Sequence, residues 1–293
     1  MNLASRGSTA TPGTGAPTRE DFVVLEPRKG WAALNLRELW AYRELLYYLT
    51  WRDVLVRYKQ AVLGVAWAIL QPLLTMIVFT VVFNRALGVK SPDPGVPYEV
   101  FSFAGLLPWQ FFAGALSRSG MSLVGNSNLL TKVYFPRLVI PMSAVLAGLV
   151  DFVISFIVLL VLMATFGVFP SWQIVTIPLF VVLAVLTALG VSLWLSALNV
   201  LYRDVQYIIP FLVQLWMFVS PVIYSIDNVP AGPLRVIYSL NPMTGVIGGF
   251  RWALYGKALP GGSVWLSVGV VVVLFIGGLF YFKRMERVFA DVV

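Results

Sequence analysis

Asp151 is the residue with the clearest capacity for chemistry, because it is the one acid well inside a long apolar run. An ionised carboxylate is costly in a bilayer, so it marks a proton or ion relay, a structural bond to a neighbouring helix, or a side chain facing a water-filled cavity. In the first case the chain would be an ion-coupled membrane carrier. Relays of that kind draw on several acids, and no other apolar run supplies one. With no cysteine and no histidine, Cys or His metal sites, Cys nucleophiles and Ser-His-Asp triads are excluded. A phosphate-cradling loop requires GxxxxGK followed by Ser or Thr. The nearest stretch, GFRWALYGK over 249–257, has six residues between its glycines and Ala258 after the lysine. ATP coupling would therefore have to come through a partner. Asp93, Glu99 and Asp227, the acids near span ends, lack the paired spacing that membrane glycosyl transfer would use.

Basic and aromatic groups supply the remaining candidates. Arg52, Arg57 and Lys59 precede the first long apolar run and could hold a lipid pyrophosphate, arginine being suited to bidentate phosphate contacts. Asp53 and Arg57, four apart, could instead pair with each other. Residues 125–141, GNSNLLTKVYFPRLVIP, form a compact charged loop between apolar runs. Asn126, Ser127 or Asn128 can cap a short helix beginning near Leu129. Phe135 precedes Pro136 and should leave the helical region. Leu129, Leu130 and Tyr134 then fall near one face, with Lys132 directed elsewhere, giving a peg that can seat in a partner's groove or a loop that only rests at the interface. Trp109, Phe111 and Phe112 in the second run, with Trp216, Phe218 and Tyr224 in the fifth, could stack on sugar rings along a glycan channel. They equally suit the aromatic belts and cores of any membrane helix.

These groups need elements to carry them. At 59% hydrophobic and 12% charged, the chain departs from the roughly 45–50% and about 25% of soluble domains, and it reads as an all-α integral membrane protein. Six transmembrane helices are expected, over 61–83, 100–116, 138–166, 174–200, 208–224 and 264–282. The second and fifth are short enough to be broken or re-entrant. Residues 1–30 read as a disordered tail and extended segment. Residues 31–60 read as an amphipathic interfacial helix, with Trp40, Tyr47 and Trp51 beside Arg37, Arg52, Arg57 and Lys59; its imperfect periodicity suits two helices with a break or one helix buried on two sides. Residues 61–293 form the transmembrane domain, with short outer-side helices in a re-entrant region over 225–262. Sixteen of the 21 Lys and Arg residues fall on one side if the N-terminus is cytoplasmic, against five outside. Both termini and the 125–141 loop are then cytoplasmic. This placement accounts for the basic excess without nucleic acid.

Lys132-Val133-Tyr134-Phe135-Pro136-Arg137, with Pro141 beyond, resembles the cytoplasmic loop of permease subunits of bacterial polysaccharide-export ABC transporters, the family that exports O-antigen, teichoic acid and capsule. The same resemblance extends to Leu63-Gly64 with Trp67 and Gln71-Pro72, to Tyr202-Arg203-Asp204, to Ser220-Pro221-Val222-Ile223-Tyr224, and to Asn241-Pro242 with Gly249-Phe250-Arg251-Trp252. It implies a homodimeric permease in the bacterial cytoplasmic (inner) membrane, working with two copies of a separate ATP-binding subunit that holds ATP and Mg²⁺. No cofactor is implied in this chain. Residues 129–136 would be the coupling helix, backed by Arg137. The region before Leu63 and Gly64 would admit the head group of an undecaprenyl-linked glycan.

Overall fold

A computed structural model describes residues 36–59, 65–226, 229–230, 232–256, 261–287 and 289. The expected tail over 1–30 and the Leu63-Gly64 pair lie outside them. Two helices, α1 (Leu36–Ala41) and α2 (Arg43–Lys59), are separated at Tyr42. α3 (Val65–Phe79) carries on as a π-wound segment, Thr80–Ala86. α4 (Tyr98–Gly125), the short α5 (Ser127–Lys132) and α6 (Val139–Thr165) follow, then a 3₁₀ turn, Trp172–Thr176, that leads into α7 (Ile177–Leu201). The chain ends with α8 (Val205–Val219), α9 (Pro233–Ser239), α10 (Pro242–Tyr255) and α11 (Gly261–Met285).

Among the described residues five helices, not six, are long and apolar enough to cross a membrane: Ala66–Ala86, Tyr98–Gly125, Val139–Thr165, Trp172–Leu201 and Gly261–Met285. The expectation of six transmembrane helices is thereby corrected. The run over 208–224 failed as a span because α8 has only 15 residues, about 22 Å at 1.5 Å per residue, against a hydrocarbon core of about 30 Å. Pro221 is the physical cause: the residue before a proline is driven out of the helical region, and Ser220 is extended at φ −93° and ψ 145°. The run over 100–116 erred in the other direction. It belongs to a 28-residue helix, α4, which continues through Arg118 to Gly125.

α4 is the axis of the bundle. Val100, Phe103, Ala104, Phe112, Ala115, Leu116 and Leu123 are fully buried, and α3, α6, α7, α8 and α10 all pack on it. Lipid is as apolar as leucine, so close packing rather than the hydrophobic effect must hold spans together. α7 and α11 show how. A Cβ on Gly190 would stand 2.9 Å from the Phe275 amide nitrogen, and one on Gly278 would stand 2.6 Å from the Gly190 carbonyl oxygen. The two backbones meet because neither position carries a side chain.

Two ends of the bundle can be told apart. At one, Leu49 of α2, Leu123 of α4, Phe135, Val139 of α6, Val200 of α7, and Phe282 and Phe289 near the C-terminus share a single apolar cluster. At the other, the Tyr98 hydroxyl donates to the Ile223 carbonyl at 3.3 Å and the Tyr255 hydroxyl to the Val100 carbonyl at 3.0 Å. α8 and the turn after it lead from the first end, where Ile209 lies against Gly120, to the second.

Candidate functional site

At the first end the 125–141 loop has a fixed base and an open tip. α5 begins at Ser127, two residues before the expected start, and stops where Val133 becomes extended. Asn126 stands at its N-cap, but the carboxamide is used elsewhere: Oδ1 accepts from Arg52 at 3.1 Å and Nδ2 donates to the Ser122 carbonyl at 2.8 Å. Leu129 and Leu130 pack on the apolar cluster, and Phe135 is buried in it. Pro136 is buried, Lys132 is exposed, and Tyr134 is 74% exposed. Arg137 fastens the base to the C-terminal segment. Its amide donates to Glu286 Oε1 at 3.2 Å and its guanidinium to the Glu286 carbonyl at 2.6 Å, 6.0 Å from the Phe289 ring. Glu286 also pairs with Lys283 at 2.6 Å.

A second group lies where α2 meets α6. Asp151 accepts from the Arg57 guanidinium and from the Tyr58 hydroxyl, so the intramembrane acid is paired. Burial, then the bond to Asp151, pushes the Tyr58 hydroxyl up to about 12. Arg52 bonds its neighbour Asp53 at 2.8 Å as well as Asn126. Asp53 thus pairs with Arg52 rather than with Arg57. Lys59 is exposed, and the structure does not bring Arg52, Arg57 and Lys59 onto one common point.

The aromatic candidates divide between core and surface. Trp109, Phe111 and Phe112 are buried within the chain. Trp109 lies 5.5 Å from Phe112, Phe112 lies edge-on to Trp216 at 5.2 Å, and Phe111 lies edge-on to Phe152 at 5.8 Å. Phe218 is 54% exposed. Tyr224 is half-buried, its hydroxyl turned to the Phe218 and Val219 carbonyls at 3.4 Å.

At the far end two polar residues lock the turn after α8. Asn241 caps α10 by accepting from the Met243 amide at 3.0 Å, and the same oxygen accepts from the Trp216 indole. Its nitrogen donates to Ser220 Oγ at 2.9 Å. Arg251 donates to the carbonyls of Pro221, Val222, Tyr224 and Phe101 and stacks on the Phe101 ring at 3.6 Å. These bonds join the Ser220-Pro221-Val222-Ile223-Tyr224 and Asn241-Pro242 motifs into one assembly. Among the described residues no group of three or more Asp, Glu, His or Cys converges as a metal site.

The model of the family described as ABC-2 type transporter matches residues 44–255, from the second residue of α2 to the end of α10. The chain belongs to that family. It is an ABC-transporter permease, the membrane part of such a machine and not its nucleotide-binding part. Its relatives match four fifths or more of the chain. It is 33% identical over 258 residues to the O-antigen export system permease protein RfbA of Myxococcus xanthus, covering 87% of this chain and 98% of the relative. It is 30% identical to the protein of the same name from Klebsiella pneumoniae, over 85% of this chain and 95% of the relative. The polysialic acid transport protein KpsM of Escherichia coli is 24% identical over 80% of this chain and 91% of the relative.

Sequence reasoning about the permease missed Arg118, counted as a loop charge, and named Arg251 only within a motif, without its buried role. Each had a signal. Arg118 is followed by SGMSLV with no proline or acid before Gly125, and Arg251 sits inside an apolar stretch.

Proposed function

We propose that this permease moves a lipid-linked polysaccharide outward across the bacterial cytoplasmic (inner) membrane, driven by a separate ATP-binding subunit that holds ATP and Mg²⁺. Relatives named for O-antigen export and polysialic acid transport, matched over four fifths or more of the chain, support the substrate class. The observation that carries the mechanism is the loop with a bonded base and a bare tip. Tyr134 stands 74% exposed one residue before buried Phe135. A partner that grips Tyr134, Lys132 and Val133 pushes against a base held by Phe135 and Arg137, and so against the start of α6 and the end of α11. The working unit is a homodimer with two ATP-binding subunits. With Arg118 assigned to α4 and Arg251 to α10, fifteen basic residues against four still favour a cytoplasmic loop and cytoplasmic termini.

Tyr134→Ala tests this. The variant should remain in the membrane and keep its fold, because the side chain is outside the core, while export falls at least tenfold relative to ATP hydrolysed. Normal export by Tyr134→Ala would remove the loop from the mechanism. An ion-coupled carrier built on Asp151 loses its support, since both carboxylate oxygens are bonded to Arg57 and Tyr58.

A further inference from the structure

Arg118 lies seven residues before the end of α4, about 10 Å along the helix from Gly125. Its guanidinium occupies space that two glycines leave open. A Cβ on Gly114 would stand 2.8 Å from Nη1, and one on Gly148 of α6 would stand 2.5 Å from Nη2. Nε is buried with no hydrogen-bond partner, and Arg118 enters none of the ion pairs of the described residues. Asp151, one helical turn beyond Gly148, is the neighbouring carboxylate, and it is taken by Arg57 and Tyr58. Asp53, the other carboxylate near Arg118, is bonded to Arg52, so three guanidiniums face two carboxylates. A half-buried guanidinium with no carboxylate bonded to it is a cost that a bilayer protein carries for a use.

Among the described residues the acids that act on Arg118 are Asp151 and Asp53, and both are already bonded, Asp151 to Arg57 and Tyr58 and Asp53 to Arg52. Within the five spans the only acids are Glu99 and Asp151, and Glu99 is nineteen residues from Arg118 along α4, about 28 Å away. A ligand anion can balance the surplus cation, and the place is reachable: the side chains of Arg57 and Asp151 keep 28% and 29% exposure, and Arg118 is half-buried.

We infer that Arg118, with Arg57 beside it, is a phosphate subsite inside the membrane span that receives the diphosphate of a polyprenyl-linked substrate. Asp151 is its resident counter-ion, holding Arg57 and Tyr58 in place while the site is empty. Arginine forks match phosphate oxygens bidentately. The lipid tail of such a substrate stays in the bilayer beside the site. This inference rests on the substrate class proposed above.

The test is equilibrium binding of undecaprenyl diphosphate to the full-length permease in phosphatidylcholine nanodiscs, with phosphatidylglycerol as a competing source of lipid phosphate. Arg118→Gln should weaken binding at least tenfold and Arg118→Lys by less. Asp151→Asn, which removes the competing carboxylate, should strengthen it severalfold. Phosphatidylglycerol should compete at least tenfold less well than undecaprenyl monophosphate. A merely structural cluster would lose binding in the Arg118 and Asp151 variants alike. That result, unchanged binding by Arg118→Gln, or equal competition by phosphatidylglycerol overturns the subsite. Should Arg118→Gln fail to fold, Arg118→Lys and Asp151→Asn decide between the same outcomes. If the wild-type permease does not bind undecaprenyl diphosphate, the proposed substrate class fails too; wild-type binding with indifferent variants refutes the subsite alone.

Discussion

Replacing Arg251 with methionine should loosen the far end of the bundle more than any change of a lipid-facing residue. The guanidinium donates to four backbone carbonyls, at 2.8 Å to Pro221, 2.6 Å to Val222, 3.1 Å to Tyr224 and 3.2 Å to Phe101. Methionine nearly fills the volume but donates nothing. Each carbonyl left unsatisfied in the interior costs about 1–3 kcal/mol. The whole loss is smaller than four such terms, because the desolvation cost of the buried guanidinium disappears with it. A net destabilisation of about 3–5 kcal/mol follows, close to that of breaking a buried ion pair. At ~2 °C per kcal/mol for a chain of this size, the midpoint of thermal unfolding should fall by about 6–10 °C. Heating the detergent-solubilised permease and measuring the monodisperse fraction reads this directly. Arg251→Lys, with one point charge for several carbonyls, should fall between methionine and wild type. Arg85→Ala, at an exposed position, should stay within experimental error. If Arg251→Met melts with the wild type, the four bonds do not hold the turn after α8.

Two more outcomes follow from the packing. Gly190→Val places a side chain 2.9 Å from the Phe275 amide nitrogen, so α7 and α11 must part; about 2 kcal/mol or more should be lost, as for overpacked cores, with folded yield falling accordingly. Gly269→Ala, where an added Cβ meets nothing within 4 Å, is the neutral control. Arg137→Ala removes the guanidinium's bond to the Glu286 carbonyl but keeps the amide bond to Glu286 Oε1 and leaves Phe135 in the core. It should lower stability by about 1–2 kcal/mol and reduce export per ATP hydrolysed. Unchanged coupling in that variant would mean that the C-terminal segment does not brace the loop.

The class of this protein is set by composition, because long apolar runs with few charges have no stable home outside a bilayer. Loop boundaries are local chemistry too, but were read only in part: α5 stops at Val133, two residues before the Phe135 expected from Pro136, and Ser220 is extended because of Pro221, through which the fifth run was read. The motifs read along the sequence, from Tyr134 to Arg251, were enough to point to the family that the comparison then established. What sequence could not decide was which charges have partners. Arg57 and Asp151 are 94 positions apart, Arg137 and Glu286 are 149 apart, and nothing periodic links such residues. Span length was equally hidden at Arg118, since a hydropathy reading stops at a charge, whereas a helix continues wherever neighbouring glycines make room for one. Asp151 looked isolated in one dimension and is paired in three. Arg118 looked like a loop charge and is the cation left over. Apolar pattern is local and can be read from the chain, but charge balance depends on which helices meet, and only packing decides that.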